Sequence, residues 1–463
     1  MRVLAGSMRH VVVSVVAPLG GKVVLMSVER LLMCARRPVL SFDYDRRRAC
    51  AVGTGTILDK ARLPLELTTH GKSAVYAKRV DMWWRRRAIP SSRDGIRRAL
   101  DLLGVRSTVD LLNRSYGLSL SDQYWVRDAS DPVRWEDVNF FNNPFDEEFG
   151  RMLLTPVSSS HGFSLNVPDA STGGDLPKRW TIGPSGVRVL VKGGRTGQEP
   201  VNELIASRLA RGLDIRAVEY RLGEYDNRPV SLCDEMLSRD EELISAWQLM
   251  GSIKRDNRLS MRDQWLSDAV SLGCARKAVS DATDDWLLVD WLVRNIDRHY
   301  NNFGLIRNVD SLEVRPAPLF DTGMSLWAGE LRVDNADYRT KPFYSTYKTP
   351  TALRQLRLIA DWSRYDLDVL ADWPDEVAHR LTANGMLSPV RIEAIRSSLV
   401  KRVATAVTVR DETVSSNHGT TCFTIPRPTP DRPTDDLPMP SPSDAEDPFP
   451  GPALSVADDA GPR

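Results

Sequence analysis

The sequence predicts an α+β chain, with β structure gathered towards its N-terminal side, helices towards its C-terminal side and a disordered tail. Three observations carry this reading. From Pro38 to about Tyr76, runs such as PVLSFDYD, ACAVGTGTIL and LPLEL alternate with turn residues, the pattern of short strands. Residues 238–283 read as helical, and Trp286, Leu287, Val289, Trp291, Leu292 and Val293 then recur at helical spacing, with Thr283 or Asp284 as the expected N-cap. From Asp411 onward, 11 prolines in 53 residues lie among Ser, Thr and Asp. Such a segment buries too little apolar surface to offset its ordering entropy.

At 463 residues and 42% hydrophobic content, the chain can build two or three compact units. The expected boundaries are an N-terminal extension at 1–37, a β/α accessory region at 38–160, a sheet-plus-helix lobe at 161–237, a helical lobe at 238–410 and the tail at 411–463. Arg2 and Arg9 precede the apolar run VVVSVVAPL, which is too short to span a bilayer. Translation is expected to begin later, at Met26, and the protein to be cytoplasmic with no membrane partner. Net charge is +1, so no global field points to nucleic acid or membrane. The tail holds ten acidic residues against three arginines, which leaves the body mildly basic. Cys34, Cys50, Cys233, Cys274 and Cys422 are scattered without a C-x-x-C pair, and the six histidines show no ligand spacing. That pattern excludes a disulfide framework and a zinc site and suits a reducing compartment.

Along the chain, Trp83-Trp84-Arg85-Arg86-Arg87 could be a nucleic-acid patch, but a helix with inward tryptophans and solvated arginines is the commoner arrangement. Ser171-Thr172-Gly173-Gly174-Asp175 is a small-residue loop between strands, of the kind that lets backbone N–H groups approach phosphates, although any hairpin could use it. Lys178 follows it. Lys192 ends the strand VRVLVK, and Glu199-Pro200 opens a helix that carries Asn202 and Glu203. Glu235-Met236-Leu237 falls where a hinge strand would present backbone groups to a nucleotide base.

The stretch from Asp284 to Leu326 is the most informative. Its helix runs into the polar loop NIDRHYNN, then a hairpin that ends in Leu319-Phe320-Asp321-Thr322-Gly323. Asp297 and Asn302 have the separation of base and metal-binding Asn in H-R-D-x-x-x-x-N catalytic loops, and Asp321 stands where that architecture puts its second metal ligand. Phosphoryl transfer needs one carboxylate to orient and deprotonate a hydroxyl, and two oxygen ligands to fix Mg²⁺ on the phosphates. Asp297, Asn302 and Asp321 are that minimum set. His299 has no ligand partner nearby in sequence and is expected to buttress the loop. An ordinary helix and hairpin with a polar loop is the alternative.

N-x-D-x-H-x-x-N-F followed by a strand and P-L-F-D resembles the C-terminal lobe of the HipA-like bacterial serine/threonine kinases, on Asn295, Asp297, His299, Asn302, Phe303, Pro318, Leu319 and Asp321. The pattern S-x-x-G-x-x-x-K of that family is met by Ser171, Gly174 and Lys178, and its N-E by Asn202-Glu203. D-R-H-x-x-N also resembles the catalytic loop of phosphoinositide-kinase-like enzymes. The resemblance implies a two-lobed protein-kinase-like (HipA-like) fold with an N-terminal β-rich accessory region and a helical C-lobe. It implies ATP and Mg²⁺ as cofactors, Lys192 paired with Glu203, self-phosphorylation at Ser171 or the neighbouring Thr172, a protein substrate, and an antitoxin partner in a growth-regulating role, with nucleic acid met only indirectly. A phosphoinositide or small-molecule kinase would share every catalytic residue. A DNA-binding regulator or recombination accessory factor is a reading of a different class, and it rests on Trp83–Arg87 alone.

Overall fold

The computed structural model describes residues 27–68, 74–93, 95–154, 168–173, 176–340, 342–343 and 351–418. One compact unit runs through Val414, and beyond it only the end of the last helix is described.

The first layer is an antiparallel sheet of β1 (Ser27–Cys34), β2 (Arg37–Asp45), β3 (Cys50–Ile57), β4 (Ala74–Tyr76) and β5 (Tyr124–Asp128), in the order β4-β3-β2-β1-β5. The first described strand begins at Ser27, inside the segment drawn as the N-terminal extension, because Val28, Leu32 and Cys34 have a β2 partner and a core to enter. Helices α1 (Ala77–Arg86), α2 (Ile96–Leu102) and α3 (Thr108–Arg114) follow β4, and α4 (Trp135–Val138) and α5 (Glu148–Leu154) follow β5. Trp83 and Trp84 of α1 are buried, as the helical reading expects. The arginines beside them are not simply solvated. Arg85 pairs with Asp81 at 2.7 Å, Arg86 stacks on Trp247, and Arg87 binds Asp122 at 2.7 Å while lying over Trp83. Arg85 and Arg86 nevertheless remain exposed, as expected, and only Arg87 is drawn into the structure.

The second layer is an antiparallel sheet of β6 (Lys178–Ile182), β7 (Arg188–Lys192), β8 (Tyr220–Tyr225) and β9 (Arg228–Asp234), ordered β6-β7-β9-β8, against which α6 (Glu199–Gly212) packs. Pro200 sits in the first turn of α6, where its missing N–H costs nothing. The Glu199 carboxylate accepts from the N–H groups of Arg195 and Thr196, each at 3.1 Å, which ties the β7–α6 loop to the helix start.

The third part is helical but not all-helical. Before the helices comes β10 (Glu241–Ser245), which pairs with β11 (Gly304–Asn308), itself paired with β12 (Val314–Pro316). Residues 241–245 were expected to be helical. Their alternating burial, with Glu242 and Ile244 inward, is a strand pattern too short to stand out among polar neighbours. Helices α7 (Ala246–Ser252), α8 (Met261–Ser271), α9 (Arg276–Val293), α10 (Ala352–Leu356), α11 (Trp373–Asn384) and α12 (Pro389–His418) complete the lobe around the largest apolar cluster. Ser388 caps α12 as expected, its hydroxyl accepting from Arg391 N–H at 3.3 Å, but the helix runs on to His418, past the boundary drawn at 411.

Helix α9 starts at Arg276, so Thr283 and Asp284 are mid-helix rather than caps. Their polarity is used sideways. Thr283 Oγ1 donates back to Val279 and accepts from Trp265 Nε1, while Asp284 pairs with Arg262 and accepts from the Ala360 and Asp361 N–H groups.

The β10–β11 contact is tight enough to require glycine at its edge. A Cβ on Gly304 would fall 2.2 Å from the Ile244 carbonyl oxygen, a backbone atom that cannot rotate away. Gly304→Ala is therefore expected to lower stability by about 1–3 kcal/mol through a forced backbone shift. Urea denaturation measures this, and a wild-type midpoint would show that the strands can part without cost.

Candidate functional site

Lys192, at the end of β7, is the hub. Its ammonium donates to Glu203 Oε1 at 2.8 Å and to Asp321 Oδ1 at 2.8 Å, and lies 3.4 Å from the Tyr220 hydroxyl. The two carboxylates arrive from opposite directions, Glu203 from α6 and Asp321 from the segment after β12. Lys178 is the cross-strand partner of Lys192 in the β6–β7 register. Like charges placed directly opposite repel, so two carboxylates against two ammonium groups make a balanced set.

The balance shows in the protonation equilibria. Burial works to raise the Asp321 carboxyl, but Lys192 and Lys178 outweigh it and hold the group well below the usual carboxylate range. Burial also opposes the charge on Lys192, yet Asp321 and Glu203 keep its ammonium well above the ordinary lysine value. Lys178 goes the other way. Burial, with the like charges of Lys192 and Arg93, overcomes the pull of Asp321 and Glu203 and pushes it down to about 8.

The backbone around Asp321 is equally constrained. Asp321 adopts φ of +58°, in the left-handed region that a short polar side chain tolerates better than most. Thr322 donates to Glu203 Oε2 at 2.8 Å from both its N–H and its hydroxyl. Asn202, one residue before Glu203, donates to the carbonyls of Gly323 and Ser325 at 2.8 and 2.7 Å. The α6 pair Asn202-Glu203 thus holds the whole Asp-Thr-Gly turn.

The loop before β11 is organised by a residue that the spacing argument passed over. Arg298 is buried, and its guanidinium binds Asp290 of α9 through two hydrogen bonds of 2.8 and 2.9 Å. The same side chain donates from Nη1 to the carbonyls of Asn302 and of Phe320, the latter at 2.8 Å. One guanidinium therefore brings the loop that carries Asp297 and Asn302 beside the strand end that carries Asp321. Asn295 completes the turn, donating to Asp290 Oδ1 and accepting from Asp297 N–H at 3.0 Å. Asn302 Nδ2 donates to the Asp297 carbonyl at 2.8 Å, so its Oδ1 is the atom left to receive a cation. His299 Nδ1 accepts from Asn301 N–H, which places the ring proton on Nε2, 3.8 Å from Asp297 Oδ2. A buttress is what its chemistry suits.

The remaining sequence candidates are placed elsewhere. The cleft around Lys192 is lined by Lys178, Gly193, Glu199, Glu203, Ser231 and Asp321 among others. Ser171, Thr172 and Gly173 are not among its lining residues: the Ser171 hydroxyl donates to the Leu118 carbonyl at 2.7 Å, and Arg93 binds the Thr172 and Gly173 carbonyls. Gly174 lies outside the described residues. In the expected hinge, Glu235 N–H donates to the Arg188 carbonyl and extends the β7–β9 ladder. Leu237 N–H is taken by the Glu235 carboxylate at 2.9 Å, and burial pushes that carboxyl up to about 8. Tyr220 and Arg298 were missed. Tyr220 belongs to no spaced motif, and Arg298, although it is the arginine of D-R-H-x-x-N, was given no role because nothing along the chain shows that it is buried against Asp290.

The groups gathered here fit a nucleotide phosphate accompanied by a hard cation: two lysines facing one cleft, an ionised carboxylate and an amide oxygen. No family model matches the chain. Over 131 residues it is 28% identical to the serine/threonine-protein kinase CtkA of Helicobacter pylori, a match covering 27% of this chain and 40% of that protein. The matched stretch spans less than half the length of that relative. Among solved structures, the proinflammatory kinase CtkA of Helicobacter pylori aligns over 52% of this chain and 95% of that one, with a TM-score of 0.40 and 18% identity. HipA of Shewanella oneidensis MR-1, solved with HipB and operator DNA as a toxin–antitoxin complex, aligns over 83% of this chain and 99% of that one, with a TM-score of 0.49 and 14% identity.

Arg298→Met leaves Asp290 buried without its cation and is expected to cost about 3–5 kcal/mol. Chemical denaturation of Arg298→Met and of the double variant Arg298→Met with Asp290→Leu checks it. The double variant, with no buried charge left over, should recover much of the loss. A single variant as stable as wild type would remove Arg298 as the anchor of the loop.

Proposed function

We propose that the chain is a Mg²⁺-ATP-dependent protein serine/threonine kinase. The observation that carries this reading is the single Lys192 ammonium shared by Glu203 of α6 and Asp321 after β12, with Asn302 tied beside Asp321 through Arg298. Bound Mg²⁺-ATP would supply the transferable phosphoryl group. Lys178 and Lys192 hold phosphate oxygens in place. Asn302 Oδ1 and the Asp321 carboxylate hold the cation, for which the carboxylate is already ionised. Asp297, about half exposed at the mouth of the loop, faces the incoming hydroxyl and accepts its proton. Glu203 would keep Lys192 charged were the Asp321 carboxylate engaged by a cation, and the Asn202 and Glu203 hydrogen bonds hold the turn that carries Asp321.

Self-phosphorylation at Ser171 or Thr172 belongs to the same reading. The Ser171 hydroxyl is now tied to Leu118, so the turn would have to leave that carbonyl to be modified. A growth-regulating role with an antitoxin partner extends the reading further; the resemblance to HipA-like kinases is its support.

Intact mass after incubation with Mg²⁺-ATP and a serine/threonine-rich acceptor protein tests the reaction. Wild type is expected to gain mass in 80 Da steps on itself or to add them to the acceptor, each step one phosphoryl group (about that mass by its formula). Asp297→Asn should abolish transfer while keeping nucleotide binding, since only proton acceptance is lost. Full transfer by the variant would strike Asp297 from the mechanism.

The depressed Lys178 gives a pH signature. Below about 8 the side chain is charged and attracts phosphate, and above it the charge is lost. ATP affinity, measured by calorimetry from pH 7 to 9.5, is expected to fall above that value by up to about tenfold per pH unit. Lys178→Met should bind more weakly throughout and show a flat profile. A wild-type profile as flat as the variant's would place Lys178 away from the phosphates.

A further inference from the structure

A second cavity, of about 120 Å³, opens on the far side of α6 from the Asp-Thr-Gly turn. Its apolar wall is built by Ile205 and Leu209 of α6 with Leu370, Trp373 and Val377, all part of the central cluster. Two guanidiniums face it, Arg208 from α6 and Arg380 from α11. Neither makes a hydrogen bond or an ion pair with any described residue. Buried arginines of this molecule find a carboxylate or carbonyl, as Arg87, Arg298, Arg307 and Arg402 do, whereas Arg208 is exposed and Arg380 half-buried. Glu376 lines the same cavity one turn before Arg380 yet forms no ion pair with either guanidinium. Burial, with the like charge of Arg208, pushes the Arg380 pKa down against the opposing pull of the Glu376 carboxylate. Val369, at the rim, is exposed.

Two unsatisfied planar forks beside an apolar wall are a receptor for an anion with an apolar body. A dianion answers two cations better than a monoanion does, and Arg matches phosphate oxygens two at a time. We propose that this groove between α6 and α11 binds a phosphate monoester whose carrier lies on Leu209, Trp373 and Val377. The site is separate from the Lys192 cleft, and its existence does not depend on the phosphoryl-transfer reading. It nevertheless sits on the helix that carries Glu203.

The test is calorimetric titration of the full chain with phenyl phosphate and, separately, with a short phosphoserine peptide that has apolar neighbours. Phenol and the unphosphorylated peptide serve as controls. Arg208 is exposed, so Arg208→Gln is expected to fold normally, and Arg380→Gln gives an independent reading after its fold is checked by circular dichroism. Saturable binding of at least one phosphorylated probe, weakened about tenfold or more in each variant, is the expected result. Binding of phenyl phosphate alone assigns a small-molecule ligand, and binding of the peptide alone a phosphorylated protein segment. The proposal is overturned if wild type binds neither probe, if the variants bind as tightly as wild type, or if the controls bind as well as the phosphorylated probes.

Discussion

A buried guanidinium holds the loop half of the candidate site together. Arg298 is engaged on one side by Asp290 of α9 and on the other by the carbonyls of Asn302 and Phe320. Five N–H donors in a fixed plane suit this task, since a lysine could satisfy one or two of these acceptors but not all of them. Taking the charge out of water is costly, and Asp290 offsets the cost only because the geometry is bidentate. The consequence is positional. A polar loop and a strand end separated by a hairpin become neighbours, which no local propensity could arrange.

Around that anchor, charge is kept in balance by sharing. Lys192 answers to Glu203 and Asp321 at once, and Lys178 stands across the strand pair from it. Each carboxylate comes from a different element, so the electrostatic set closes only when β6, β7, α6 and the segment after β12 are all in place. Without any one of them, a like-charged pair would be left partly out of water. Folding of the sheet lobe against the helical lobe and assembly of the charge set are therefore one event.

The accessory region is joined to the same frame. Arg307 of β11 binds Glu242 of β10 and reaches the Tyr124 hydroxyl of β5, while Leu243 N–H donates to Ser121 and Gln123 donates to Glu241. The strands that precede and follow the candidate catalytic loop are thus bonded to the first sheet. Arg62 extends the contact to the carbonyls of Val309 and Asp310. These polar contacts add to apolar packing that also joins the accessory region to the rest, through Trp125, Trp135 and Phe140 beside Trp180 and through Val309, and they favour one register over sliding.

Local sequence was sufficient wherever a residue's role follows from its neighbours along the chain. The spacing of Asp297 and Asn302, the strand that ends at Lys192, Pro200 at the start of α6, Ser388 before α12 and the inward tryptophans of α1 all express short-range geometry: a helix or strand period, a cap, a loop of given length. The boundaries that sequence misplaced share a cause as well. Strand β1 needs β2 to be recognised as a strand, β10 needs β11, and Thr283 and Asp284 look like caps until Trp265, Arg262 and the Ala360 amide are seen to use them. That Asp321 shares Lys192 with the expected partner Glu203, that Arg298 ties the loop to the strand end, and that Ser171 is tethered to Leu118 were decided only by tertiary structure. Hydrogen bonds and ion pairs act over a few ångströms in space, and the residues they join here are separated by 129 positions for Lys192 and Asp321 and by 53 for Ser171 and Leu118. No pattern along a chain records a distance that only packing creates.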